Sequence, residues 1–114
     1  MISRDYLTQE FIDLVRNYHS DAEMILNCCY LKILECHLER AGKQLYYIGI
    51  YHPQRIAVEL KKYQDIFKQI AENMGLVEVV YINATQLIRD PLSTLKRHHP
   101  RFWLELHWIA TQDY

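Results

Sequence analysis

Six apolar residues, Ile56, Leu60, Tyr63, Phe67, Ile70 and Met74, follow one another at spacings of four, three, four, three and four. That rhythm draws a single stripe down one side of an α-helix. Pro53, just ahead of the stripe, suits a first helical turn, and Gly75, just after it, suits the left-handed residue that ends a helix. On either side stand "QLYYIGIY" (residues 44–51) and "VEVVYI" (residues 77–82), short, apolar and rich in β-branched and aromatic residues. Runs of this kind form strands covered on both faces. Strand, helix and strand in that order make a βαβ unit, with parallel strands and a right-handed crossover. The βαβ unit restricts the fold more than any other feature, and it predicts an α/β (or α+β) domain.

The rest of the chain is arranged around that unit. Leu7, Phe11, Leu14 and Tyr18 predict a helix over residues 4–18. "SDAE" at Ser20 has the form of a capping box, with Ser20 and Glu23 reciprocally bonded, and predicts a helix over residues 21–41 closed by Gly42. A strand through "YLKILECHLE" is the competing reading of residues 24–40. Asp90 and Pro91 suggest the N-cap and first residue of a short helix ending before Pro100. Residues 101–109, "RFWLELHWI", alternate. As a half-exposed edge strand they would turn Phe102, Leu104, Leu106 and Trp108 inward and Trp103, Glu105, His107 and Ile109 outward. A terminal helix opened by Pro100 is the alternative. The predicted order is ααβαβαβ, with a short sheet, in one domain over residues 1–114.

A chain of 114 residues, half of them apolar, can bury a core without metal or disulfide support. Its net charge of −1 gives no overall attraction to nucleic acid or anionic membrane. Three cysteines, an odd number, point to reduced thiols. With no apolar leader and no run of about 20 apolar residues, the expectation is a cytoplasmic protein with no membrane partner.

Within the central stripe, "IAVELK" places Glu59 and Lys61 two residues apart. On a strand they would share a face, and the segment would resemble, locally, the PD-(D/E)XK nuclease superfamily. There a strand bearing this pair is followed by a helix and a strand, as "KKYQDIFKQIAENM" and "VEVVYI" would follow here. The resemblance implies Mg²⁺ held by Glu59, with Lys61 orienting the attacking water or stabilising the transition state. The superfamily also places an earlier acidic ligand on the preceding strand, and "LYYIGIY" has none. On a helix the two side chains point about 200° apart. The stripe, and the lack of any turn-forming residue between Ile56 and Gln64, favour the helix.

Other clusters have plainer readings. Cys28, Cys29, Cys36 and His37, if helical, set Cys29 and Cys36 about 10.5 Å apart along the axis, too far for one tetrahedral zinc. No metal or other cofactor is therefore expected outside the nuclease alternative. "KRHHPR" supplies Lys96, Arg97 and Arg101 as a weak nucleic-acid patch, or as complements to a helix C-terminus. Ligands of parallel α/β units sit beyond the carboxyl ends of strands. That makes Tyr51, His52, Arg55, Asn83 and Thr85, with Gln54 and Gln86 nearby, candidates for holding a small polar ligand or anion. Nine Tyr and two Trp are a heavy aromatic load, of the kind that protein interfaces use. The leading expectation is a non-catalytic interaction or adaptor protein, acting as a homodimer or on another protein through Trp103, His107 and Ile109.

Overall fold

The computed structural model describes residues 4–38 and 42–113. Their order is α1 (Arg4–Tyr18), α2 (Ser20–Leu26), β1 (Tyr30–Leu38), β2 (Lys43–His52), a 3-10 turn (Gln54–Ile56), α3 (Ala57–Lys61) and α4 (Gln64–Asn73). β3 (Val79–Asn83), α5 (Ala84–Arg89), α6 (Leu95–His98), α7 (Pro100–Ala110) and a last 3-10 turn (Thr111–Asp113) complete it.

The three strands lie in the order β1-β2-β3. β1 and β2 are antiparallel, in a register running from Tyr30↔Tyr51 to Leu38↔Lys43. β2 and β3 are parallel, from Ile48↔Val79 to His52↔Asn83. The predicted βαβ unit is therefore present, and the fold is a small α/β domain. Side chains alternate across a strand, so the sheet feeds two cores. Ile33, Ile48, Ile50 and Val79 face one way, against Phe11 and Val15 of α1 and Phe67, Ile70 and Ala71 of α4. Tyr51 faces the other, with Ala84 of α5 and Leu106 and Ile109 of α7. Phe11 and Phe67 meet with ring centroids 6.0 Å apart. Gly49, on the second face, lies under Leu34, whose Cδ1 would be 3.1 Å from an added Cβ.

The central stripe is helical but interrupted. Lys62 and Tyr63 bond back to Glu59 and Leu60, three residues earlier, between α3 and α4, so the helix tightens there and resumes. Its end has the predicted chemistry. Gly75 takes φ +82, Gly75 N donates to Glu72 O at 3.0 Å, and Leu76 N donates to Ala71 O at 2.9 Å. These are the two bonds of a Schellman motif, with Leu76 buried behind them.

Several expectations are corrected. The helix over residues 21–41 stops at Leu26, and residues 30–38 are strand β1. Gly42 does take a positive φ, of 60, but directly before β2 in the connection between two strands; Ala41 lies outside the described residues. The capping box does not form, because α2 has no side-chain cap and Glu23 accepts from Arg16 Nε instead. Asp90 and Pro91 make a turn rather than a helix start: Asp90 Oδ1 accepts from Leu92 N at 2.9 Å. The unforeseen α5 begins at Asn83, whose Oδ1 accepts from Gln86 N at 3.1 Å. Residues 101–109 belong to helix α7, with Pro100 in its first turn, and not to an edge strand.

Candidate functional site

Among the described residues, candidate side chains gather at two places: the carboxyl ends of the parallel strands, and the outer face of α7.

β2 and β3 end side by side at His52 and Asn83. The two chains leaving them are tied together where Gln54 N donates to Thr85 Oγ1 at 3.4 Å. His52 is buried, and its Nδ1 donates to Pro53 O at 2.9 Å, so that nitrogen carries the proton. Tyr51 belongs to the second core, edge-on to Phe102 with centroids 5.0 Å apart. Burial pushes its hydroxyl pKa up, with Tyr30 adding to the effect. Asn83 is engaged as the α5 cap. A cavity of about 320 Å³ remains beyond these residues, lined among the described residues by Gln54, Arg55, Thr85 and Arg89. Of the expected ligand residues, Arg55 and Thr85 thus share a cavity, while Tyr51, His52 and Asn83 are not among the described residues that line it. Arg89 was not foreseen. It stands four residues after Thr85, on the same side of a helix that only the Asn83 cap announces in the sequence.

Arg55 is held in place. Its Nε donates to Gln112 O at 3.0 Å and its Nη2 to Gln112 Oε1 at 3.0 Å. Gln112 Nε2 in turn donates to Cys28 O at 3.1 Å. One glutamine therefore joins the end of the chain to the start of the crossover and to the turn before β1.

α7 is apolar on two sides. Leu106, Ile109 and Ala110 are buried, and Phe102 packs beside them. Ile109, expected at an interface, is a core residue, because a helix turns it toward Leu106 where a strand would have opposed the two. On the far side Arg101, Leu104, Glu105 and Trp108 form an exposed stripe at positions i, i+3, i+4 and i+7. Leu104 is 60% exposed and Trp108 71%. On the flank the half-buried Trp103 stacks on the exposed His107, centroids 5.1 Å apart and planes at 17°, and Lys96 Nζ lies 5.1 Å from the Trp103 ring. Lys96, Arg97 and Arg101 are all exposed, the first two on α6 and the last on α7.

Glu59 and Lys61 are both exposed on α3, and the strand that the nuclease comparison requires is absent. The cysteines are all free. Burial, chiefly, pushes the Cys29 thiol up to about 12, the opposite of an activated nucleophile. Cys36 lies on strand β1, so the helical spacing used for the zinc reading does not apply; the His37 side chain lies outside the described residues. Among the described residues no three His, Cys, Asp or Glu side chains are grouped to hold a metal ion, and no helix is long and apolar enough to cross a membrane. The Tyr81 hydroxyl is buried without a hydrogen-bond partner, and burial, then Asp65, pushes it up to about 12. No protein-family model, curated protein or solved structure matches the chain.

Proposed function

We propose that the chain is a non-catalytic association module that pairs with a second copy of itself through the outer face of α7. The exposed pair Leu104 and Trp108 carries this reading. Isolated exposed apolar residues are ordinary, but two on adjacent turns of one helix, beside the ring of Trp103, make a patch that water solvates poorly.

The charges on the stripe favour a second copy as the occupant. Arg101 and Glu105 stand one turn apart on the same face, so the stripe is its own complement about a twofold axis. Antiparallel pairing centred between Leu104 and Glu105 lays the two Leu104 side chains near the axis. It brings Arg101 of each copy over Trp108 and toward Glu105 of the other, a cation–π and an ion-pair contact together. Lys96, Trp103 and His107 form the rim.

Light scattering over a concentration series tests the proposal. A mass that rises to twice 13.8 kDa, and a Trp108→Glu variant that stays monomeric with unchanged circular dichroism, support it. A wild-type monomer at every concentration overturns it.

A further inference from the structure

The structure assigns a second role to the cavity at the ends of β2 and β3: an anion site that takes a phosphate-type oxyanion between Arg55 and Arg89. This inference is independent of the pairing through α7. Its first support is placement. The cavity lies beyond the carboxyl ends of two parallel strands, joined in register at His52 and Asn83, where parallel α/β sheets leave a crevice for ligands. The second is chemistry. Two guanidinium groups line one cavity of about 320 Å³, and their positive charge and N–H donors suit phosphate oxygens. The third is preorganisation. Gln112 fixes Arg55 through both its carbonyl and its side-chain oxygen, and the bond from Gln54 N to Thr85 Oγ1 fixes the wall between the arginines. A side chain already ordered loses less entropy on binding.

Calorimetric titration of the full chain with sodium pyrophosphate tests this, against sodium chloride matched for ionic strength. Saturable binding absent with chloride is the expected result. Arg89→Ala is the diagnostic variant, since Arg89 is exposed and Arg55 also holds the chain end. It should weaken pyrophosphate binding about tenfold, the factor carried by about 1.4 kcal/mol. Arg89→Lys should recover part of the loss, and Arg97→Ala should bind as wild type. A parallel titration with ADP identifies the source of the phosphate. Equal affinity means that the phosphate group alone is read, and tighter binding means a nucleotide; both support the site. No heat beyond the chloride control, or Arg89→Ala binding as tightly as wild type, overturns it.

Discussion

Arg55 and Gln112, far apart in sequence, are joined by two hydrogen bonds of 3.0 Å each, one to the glutamine carbonyl and one to its side chain. The same glutamine reaches Cys28 O at 3.1 Å. Gln112→Ala removes the two side-chain contacts and keeps the carbonyl one. The contacts lie near the surface, so the loss should be about 1 kcal/mol. Urea denaturation measures it, and amide exchange should quicken first in the final turn.

The two sides of α7 should respond differently to truncation. Leu106 is fully buried, and Leu106→Ala should cost about 2–5 kcal/mol. Trp108→Ala, on the exposed side, should change monomer stability by less than about 0.5 kcal/mol. Chemical denaturation at low protein concentration separates the two, and similar large losses in both would contradict the orientation of the helix.

Gly49 needs its small size more than its backbone freedom, since its φ is not in the left-handed range. An added Cβ would lie 3.1 Å from Leu34 Cδ1, the tip of a side chain that can rotate. Gly49→Ala should therefore be mild, within about 1 kcal/mol. Gly49→Val adds two methyl groups beyond that Cβ and should cost about 1–3 kcal/mol. Thermal unfolding of the two variants checks the order.

Alkaline pH should weaken the fold. The Cys29 thiol is held up at about 12 against an ordinary 9.0, and the Tyr81 hydroxyl at about 12 against 10.0. Well below pH 9 both groups are neutral whether folded or not, so they leave stability unchanged. Above it the unfolded chain ionises first, and stability falls until the folded groups ionise near 12. Urea titrations on either side of pH 9 should show the decline, and Cys29→Ala should reduce it. A thiol reagent at neutral pH should modify the exposed Cys36 well before Cys29.

With Mg²⁺ or Mn²⁺ and plasmid DNA, no cleavage is expected, because Glu59 and Lys61 stand exposed on a helix. Lys61→Ala should leave stability within about 0.5 kcal/mol of wild type. Nicking that disappears in Lys61→Ala would restore the nuclease reading.

The sequence was most legible where local signals agreed with one another. The βαβ unit carried a helical period, two strand-like runs and a glycine at the helix end, and all are present. It was least legible where a local signal had two uses. "SDAE" does mark the start of a helix at Ser20, but not through the capping box it resembles, because Glu23 is taken by Arg16. Gly42 ends a helix as readily as it serves a turn between strands, so residues 30–38 read as either. Alternation over residues 101–109 suggested a strand, but a short apolar run with two tryptophans fits both periods, and the proline before it decided for helix. The strand-end cavity was anticipated through Arg55 and Thr85; Arg89 was missed with the helix that carries it.

The tie from Arg55 through Gln112 to Cys28 anchors the 3-10 turn that follows α7. Leu104 and Trp108 therefore stand on a helix whose far end is fixed, so the proposed pairing would not have to order the backbone beneath them. Only the side chains themselves would be left to order on contact, which lowers the entropy that even a small patch must overcome.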